Sequence, residues 1–466
     1  MSSALKQSSE SADPAAPPAL GLIGNTPLLP LTGFDTGVSE LFLKLESQNP
    51  GGSIKDRMAV SMIEAAERSG ALTPGATLVE ATAGNTGIGL ALVAAIKGYR
   101  LILVIPDKMS PEKIAHARAL GADIRLTRSD VSAGHPDYYQ DMAARIGRET
   151  PAYNINQFAN PANPLAHEVS TGPELWQQMD HRVDAVVCGV GSGGTLTGLS
   201  RFFARVAPDA EIVLADPVGS SLAEYVRTGT LSPSGSYAVE GIGGSCVPAI
   251  ADLSRVKCAF SISDAESFQT ARELLKRTGI FGGPSTGTLL AAALRYCQAQ
   301  TTSKRVVTFV CDTGAKYLSK MYNDYWMLDQ GYLERPATGN LRELIARRYE
   351  EGAVITVSPD DTLLTAFQRM RMADVSQVPV MEKGRCVGVL DESDVLVAVH
   401  ANPAEFRSPV RRAMTSRLET ISAEAGIERV YEILDRGLVA LVTERDQFIG
   451  LLTRSDLLSH LRRKLH

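Results

Sequence analysis

The sequence predicts an α/β fold with a parallel sheet for most of the chain, followed by a smaller domain that contains an internal repeat. Between about residues 40 and 325, short β-branched apolar runs alternate with longer stretches of helical periodicity. Apolar strands separated by helices are typical of a parallel sheet that is covered on both faces. The repeat begins near residue 354, where this alternation ends.

The strands and helices of the first part follow one another along the chain. The predicted strands are residues 77–81, 101–106, 124–127, 185–188, 211–216 and 305–311. The predicted helices are residues 58–68, 87–97, 111–120 and 195–205. Because ligand sites in such sheets lie beyond the carboxyl ends of the strands, we expect the functional residues in the turns that follow them.

The last part of the chain repeats a pattern of about 60 residues, over residues 354–396 and again over 418–458. Gly388 corresponds to Gly450, and Asp394 corresponds to Asp456. Two copies are too few for a solenoid, so they predict one pseudo-symmetric domain. The predicted organisation is therefore a flexible tail at 1–20, a catalytic domain at 21–333, a linker at 334–352 and a paired regulatory domain at 353–466.

The composition limits the partners and the location of the protein. The 466 residues have a net charge of −5, which argues against nucleic acid or an anionic membrane as a partner. The six cysteines form no CxxC pair, which predicts reduced thiols and a cytoplasmic protein. No apolar run reaches the roughly 18 residues of a membrane span, and no ligand cluster predicts a metal site.

The segment NPGGSIKDR, residues 49–57, places Lys55 three residues after a glycine pair and in the first turn of a helix. The positive end of the helix dipole should lower the pKa of an amine at this position. A lysine with a lowered pKa suits a nucleophile or a Schiff-base former. An exposed surface lysine is the alternative interpretation.

The segment EATAGNTGIG, residues 80–89, predicts a strand end, a turn and an apolar helix. Its backbone N–H groups and the side chains of Thr82, Asn85 and Thr86 can hold a carboxylate or a ring hydroxyl. A tight turn that needs glycine and binds nothing is the alternative.

The segment VCGVGSGGTLTG, residues 187–198, follows a predicted strand and opens a helix, which is the context of a phosphate-binding loop. The residues in position to hold a phosphate are Gly191, Ser192, Gly193, Gly194 and Thr195. The segment also satisfies GxGxxG, and Asp216 ends the next predicted strand. A nicotinamide-dependent oxidoreductase is therefore a competing interpretation.

The segment GPSTG, residues 283–287, matches GxSxG and makes Ser285 a candidate hydrolase nucleophile. A hydrolase of this type needs a histidine later in the chain. The later histidines are His400, His460 and His466, all within the predicted paired domain, which disfavours a hydrolase.

In this order, seven motifs resemble the pyridoxal-phosphate β-replacement family of cysteine synthase and cystathionine β-synthase. They are IGNTPL at 23–28, GGSIKDR, ATAGNTG, NQFANPANPLAH at 156–167, GSGGT, VEGIG at 239–243 and GPSTG. The resemblance covers about residues 20–333. It implies the fold of the tryptophan synthase β chain (fold type II), with a parallel-sheet core in two subdomains, and pyridoxal 5′-phosphate as the cofactor.

The resemblance also implies roles for individual residues. Lys55 forms a Schiff base with the cofactor, Asn85 contacts the ring hydroxyl, and Ser285 meets the pyridine nitrogen. The glycine-rich loop after residue 190 holds the phosphate. The residues expected to hold the substrate carboxylate are Thr82, Ala83, Asn85, Thr86 and Gln157. Many relatives carry serine in place of Ala83. No haem is expected, because the first histidine is His116 and no cysteine precedes Cys188.

Within this family, the chain is more similar to cystathionine β-synthase than to cysteine synthase. Tyr237 and Glu240 carry this similarity, with DPVGS at 216–220 and YWMLDQGYL at 325–333. It implies a homodimer or higher homo-oligomer that condenses L-serine with L-homocysteine to L-cystathionine, with Tyr237 and Glu240 as further catalytic residues near the substrate entrance. The alternative is cysteine synthesis from O-acetylserine and sulfide, with hydrogen sulfide production as a side activity.

The C-terminal repeat resembles the tandem CBS (Bateman) domain, an α+β module that binds adenosyl ligands. Thr453 and Asp456 are expected to hold the ribose of S-adenosylmethionine or AMP, and Asp394 is the corresponding acid of the first copy. In the first copy, Asp391 stands where threonine is usual. The alternatives are an interaction module without a ligand, and a catalytically inactive adenosyl sensor, which the intact lysine motif disfavours.

Overall fold

The computed structural model describes residues 19–82, 84–132 and 134–463. The chain divides into two compact units, Met1–Asn323 and Asp324–His466. Most of the predicted tail at 1–20, and the candidate substrate residue Ala83, lie outside the described residues.

The first unit contains two sheets. Its strands are β1 (Leu28–Pro30), β2 (Glu40–Lys44), β3 (Thr77–Ala81), β4 (Arg100–Pro106), β5 (Asp123–Thr127), β6 (Ala152–Asn154), β7 (Ala185–Cys188), β8 (Glu211–Pro217), β9 (Val256–Ile262) and β10 (Arg305–Phe309). The larger sheet has the order β1-β2-β10-β7-β8-β9, in which β1 is antiparallel to β2 and the other pairs are parallel. The smaller sheet, β5-β4-β3-β6, is parallel throughout.

Helices separate most of these strands. They are α1 (Lys55–Arg68), α2 (Asn85–Lys97), α3 (Pro111–Ala119), α4 (Tyr139–Glu149), α5 (Ala162–Ala166), α6 (Gly172–Gln178), α7 (Gly194–Val206), α8 (Leu222–Thr228), α9 (Asp264–Thr278) and α10 (Pro284–Gln298). Every residue of β7 is buried, as expected for a central parallel strand covered on both faces. The predicted α/β class with parallel sheets is confirmed.

The second unit consists of two copies of a strand–strand–helix unit. Its helices are α11 (Asp324–Asp329), α12 (Leu363–Ala373), α13 (Glu392–Val399), α14 (Ile427–Asp435) and α15 (Arg454–Arg463), and its strands are β11 (Gln377–Glu382), β12 (Arg385–Asp391), β13 (Glu419–Ser422), β14 (Ala440–Glu444) and β15 (Gln447–Leu452). Gly388 pairs with Val380 and Gly450 pairs with Val442, and a register shift follows each pair. This shared irregularity supports the internal repeat.

The segment predicted as a linker, 334–352, contributes to the core of the second unit. Leu341, Leu344 and Ile345 are buried together with residues of the second copy, including Ile421 and Val442. Their burial explains why the boundary between the units lies at residue 323 and not in the polar segment. Among the described helices, none combines the length and the apolar character needed to cross a membrane.

Candidate active site

The loops that follow β3, β7 and β10 meet at one place in the first unit, as expected for the carboxyl ends of parallel strands. Asn85 begins α2 and donates from Nδ2 to Oδ2 of Asp312, which follows β10, at 2.7 Å. Asn163 donates from Nδ2 to Oγ of Ser192, which follows β7, at 2.9 Å. Asn163 Nδ2 also donates to the carbonyl oxygen of Gln157 at 2.9 Å. The structure thereby brings together three predicted parts of the site: the substrate loop, the phosphate loop and Asn85, the residue expected to contact the ring.

Lys55 is the first residue of α1, as its motif predicted to within a turn. Burial lowers the pKa of its amine, and the negative charge of Asp312 opposes part of this shift. The sequence also predicted a lowered pKa for Lys55, but it attributed the shift to the helix terminus. In the structure, the largest cause of the shift is burial. The alternative of an exposed surface lysine does not hold.

A cluster of buried polar side chains surrounds Asn85. Tyr317 donates its hydroxyl hydrogen to Oδ2 of Asp312 at 2.6 Å, beside the contact from Asn85. Lys316 donates from Nζ to Oδ1 of Asn85 at 2.9 Å. Sequence reasoning missed Asp312, Lys316 and Tyr317. The position of Asp312 directly after a buried strand was the available indication, because sites gather at that edge of a sheet.

The phosphate-loop residues form the turn between β7 and α7. Gly193 has a φ of +93°, which favours glycine, and a Cβ there would lie 2.5 Å from Cβ of Ala251. A Cβ on Gly194 would collide with the amide of Asn163. Ser192 Oγ already accepts a hydrogen bond, so its own hydrogen is left to donate. Together with the first amides of α7, these donors fit a phosphate group.

A buried histidine lies next to Thr195 of the phosphate loop. Nε2 of His167 lies 3.2 Å from Oγ1 of Thr195, and Nδ1 lies 3.0 Å from Oγ1 of Thr171. Burial holds the pKa of His167 well below its usual value, so the ring is neutral. The histidine therefore orients hydroxyl groups and adds no charge.

Ser285 is the second residue of α10 and its side chain is buried. Burial raises the pKa of the nearby Cys311 thiol to about 12. Among the described hydrogen bonds, none joins Ser285 to a histidine that could act as the base of a hydrolase. The place of Ser285 at a helix start on the site is compatible with the expected contact to a ring nitrogen.

The substrate-loop residues are already connected to one another. Oγ1 of Thr82 accepts from the backbone of Gly84 at 3.0 Å and so shapes the turn. Thr86 donates from Oγ1 to Oε1 of Gln157 at 2.8 Å. Gln157 donates from Nε2 to Oε1 of Glu80 at 3.1 Å, beneath the loop. Burial raises the pKa of Glu80 to about 8.

Glu240 is buried in a double ion pair. Lys113 Nζ donates to Oε2 at 2.7 Å and Lys320 Nζ donates to Oε1 at 2.6 Å. Burial alone would raise the pKa of Glu240, but the two lysines hold it below its ordinary value. Lys113 packs against Gly84, where an added Cβ would come within 2.5 Å of its Cδ. The group therefore borders the substrate loop.

Tyr237, the other residue predicted to be catalytic, lies near the carboxylates of Asp216 and Asp264. Burial and the charges of Asp216 and Asp264 raise the pKa of its hydroxyl to about 12. Its hydroxyl packs near Gly243, where an added Cβ would lie 2.8 Å away. Among the described hydrogen bonds, none joins Tyr237 to Glu240 or to the substrate loop.

The position of Asp216 argues against a dinucleotide site, which would need its carboxylate to bind a ribose. This residue is fully buried, and Oδ2 accepts a hydrogen bond from the backbone of Ala223 at 2.8 Å. The carboxyl group therefore supports the start of α8 and is not available to a ribose.

In the second unit, a cavity of about 530 Å³ lies between the two copies of the repeat. Thr453 and Asp456 line it, and Thr453 donates from Oγ1 to Oδ2 of Asp456 at 2.6 Å. Asp394 is not among the lining residues of this cavity. It forms a reciprocal capping box with Asp391 at the start of α13. Of the three residues expected to bind a nucleotide, Thr453 and Asp456 therefore lie together at the cavity, and Asp394 does not line it.

Comparisons with known proteins agree with this architecture. The family described as "Pyridoxal-phosphate dependent enzyme" matches residues 19–312, and "CBS domain" matches residues 346–401 and 410–463. Cystathionine beta-synthase of Oryctolagus cuniculus is 35% identical over 467 aligned positions, which cover 95% of this chain and 84% of that protein. Cysteine synthase A of Escherichia coli is 39% identical over 301 positions, which cover 64% of this chain and 92% of that protein.

A solved structure is similar to the first unit. An O-acetylserine dependent cystathionine beta-synthase from Helicobacter pylori is 34% identical, with a TM-score of 0.60, and the match covers 65% of this chain and 97% of that chain. The resemblance seen in the motifs is confirmed, and with it the fold type and the cofactor. The chain therefore belongs to the family of pyridoxal-phosphate-dependent enzymes, as a lyase with two CBS domains in its second unit.

Proposed function

We propose that the enzyme condenses L-serine with L-homocysteine to give L-cystathionine and water. The observation that carries the proposal is the ion-pair group of Lys113, Glu240 and Lys320 beside the substrate loop. Two cations and one anion leave one net positive charge, which suits the carboxylate of an amino-acid thiol. Sulfide, the second substrate in cysteine synthesis, has no carboxylate and needs no such charge.

The residues of the site fit the cofactor and define its surroundings. Gly193 and its neighbours would hold the phosphate, Asn85 and Ser285 would contact the ring, and Lys55 would bond to the cofactor carbon. When bound, pyridoxal phosphate supplies an electron sink for the α-carbon of the amino-acid substrate.

Lys55 is the proposed acid and base. Because burial lowers its pKa, the amine is more readily neutral and able to accept the α-proton of serine at Nζ. The β-carbon to oxygen bond breaks and the hydroxyl leaves as water, for which the thiol of homocysteine supplies the proton overall. The sulfur of homocysteine forms the new bond at the β-carbon, and Lys55 Nζ returns the proton to the α-carbon.

The substrate loop would bind the carboxylate of serine. Thr86 and Gln157 lie at the start of α2 and on the facing loop, and they are linked at 2.8 Å. Gln157 is 4% exposed, so its position is determined by the protein and not by solvent. A preorganised carboxylate site holds the α C–H bond toward the base.

Product analysis tests this function. The full-length protein is incubated with serine and homocysteine, or with O-acetylserine and sulfide, and the products are identified by mass spectrometry. We expect cystathionine from the first pair. Cysteine from the second pair, with no cystathionine from the first, would overturn the proposal.

A second candidate is the use of O-acetylserine as the donor. It is supported by the similarity to the structure named as an O-acetylserine dependent cystathionine beta-synthase. A hydrogen sulfide-producing enzyme from Fusobacterium nucleatum, 36% identical with a TM-score of 0.60 over 64% of this chain and 99% of that chain, points to sulfide chemistry on the same scaffold. Comparing kcat/KM for serine and O-acetylserine, each with homocysteine, decides the donor.

The role of Lys55 has its own test. The Lys55→Ala variant should lose turnover and the visible absorbance of the lysine-bound cofactor. Retention of that absorbance would exclude Lys55 as the cofactor-binding residue.

For the second unit, we propose that the cavity lined by Thr453 and Asp456 binds an adenosyl ligand, S-adenosylmethionine or AMP. The paired carboxyl and hydroxyl groups can hydrogen-bond the two hydroxyls of a ribose. The volume of about 530 Å³ lies within the usual range for small-molecule sites.

A further inference from the structure

Lys316 is a second buried lysine beside the site, and none of the sequence motifs singled it out. Its Nζ donates to the carbonyl oxygens of Gly51 at 2.8 Å and Gly52 at 3.1 Å, and to Oδ1 of Asn85 at 2.9 Å. An ammonium group has three N–H donors. All three are therefore used, and the group has one determined position.

The opposite end of the Asn85 amide is held by an anion. Asn85 Nδ2 donates to Oδ2 of Asp312 at 2.7 Å. The amide oxygen thus faces a cation and the amide nitrogen faces a carboxylate. A flipped amide would place its NH₂ against the ammonium and its oxygen against the carboxylate, so both contacts would become repulsive. Lys316 and Asp312 together select one orientation.

The charge needed for this contact is present at neutral pH. Burial lowers the pKa of Lys316 to about 8, and the charges of Asp312 and Asp56 oppose the shift. Lys316 is 4% exposed, so the hydrogen bonds to Gly51, Gly52 and Asn85 replace solvation by water. Hydrogen bonds from a charged group of this kind are stronger than neutral ones.

We propose that Lys316 is a positioning residue for the cofactor, which acts by holding the amide of Asn85 in the orientation that meets the cofactor ring. The inference rests on the contact proposed between Asn85 and the ring. It does not depend on which β-donor or thiol the enzyme uses.

The test is the rate at which cofactor leaves the full-length holoenzyme, followed by its visible absorbance. Lys316→Met should release the cofactor about tenfold faster, the effect expected from losing a hydrogen bond to a charged group. Lys316→Arg, which keeps the charge and donors, should restore most of the retention.

Lys44→Met provides a matched control. Lys44 is also buried, at 0% exposure, and its Nζ also has three acceptors, Thr26 O at 2.7 Å, Glu174 Oε2 at 3.0 Å and Gln178 Oε1 at 2.8 Å. None of these acceptors belongs to the cofactor site. Lys44→Met should reduce stability and leave the release rate unchanged.

A double-mutant cycle separates positioning from a general structural role. If Lys316 acts through Asn85, then Lys316→Met should add little to the release rate of the Asn85→Ala variant. A full tenfold addition in that background, or an equal acceleration in Lys44→Met, would overturn the proposal. Failure of the serine and homocysteine assay would leave these rates unaffected, so the two proposals can fail separately.

Discussion

Replacing Glu240 by Gln tests the buried ion-pair group beside the substrate loop. The side chains of Lys113 and Glu240 are 1% and 6% exposed, and that of Lys320 is 19% exposed. Without the carboxylate, the ammonium of Lys113 remains buried and unpaired. Removing one partner of a buried pair costs about 3–5 kcal/mol, and we expect this loss for Glu240→Gln. Lys320→Met should cost roughly 1 kcal/mol, because the pair with Lys113 persists.

Urea denaturation at neutral pH, followed by the absorbance of bound cofactor, reports on the first unit. The double variant Lys113→Met/Glu240→Gln should recover at least half of the loss, since no unpaired charge is then left. In turnover, Lys320→Met removes the net positive charge of this group, so it should raise KM for homocysteine more than KM for serine. A Glu240→Gln variant as stable as Lys320→Met, or one that the double variant does not rescue, would refute the reasoning.

Three further predictions concern other parts of the molecule. Burial raises the pKa of Glu80 from 4.5 to about 8, so the folded protein retains a proton that the unfolded chain releases. The free energy of unfolding should therefore fall between about pH 4.5 and 8. Glu80→Gln should abolish this fall, which is measured as the difference between the urea midpoints at pH 5 and pH 8.5. Gly194→Ala should release cofactor about tenfold faster or more, because the added Cβ displaces Asn163; release equal to that of the unaltered protein would contradict this. AMP binding measured by calorimetry should be lost in Asp456→Ala and kept in Asp394→Ala; the reverse result would move the site to the first copy.

Much of the site was predictable because its loops have local signatures. The glycine turn before α7 needs a positive φ, and the sequence shows that requirement directly at Gly193. Six strands of the first unit were also predicted from a local signature, which is a short run of apolar residues. Strands β1, β6 and β9 were not, because they are short or partly exposed at sheet edges, where pairing with a neighbour decides their conformation. Strand β2, an inner strand of the larger sheet, was not predicted either.

The polar residues that complete the site were less accessible to sequence reasoning. Asp312 and Lys316 follow a strand, but their partner Asn85 lies more than 200 residues earlier in the chain. The segment 334–352 was predicted as a linker from its charge, because its apolar residues are few. Their burial depends on β13 and β14, which pair in the second copy of the repeat.

The sequence by itself determined the α/β class and the internal repeat, and it predicted the order of the cofactor loops, because strand periodicity and turn chemistry are properties of neighbouring residues. Only the tertiary structure decided which charges are buried and which partners neutralise them. Lys113 and Glu240, 127 positions apart, form one ion pair, and burial, more than the helix terminus, lowers the pKa of Lys55. Desolvation depends on everything packed around a group, and residues distant in the sequence supply most of that packing.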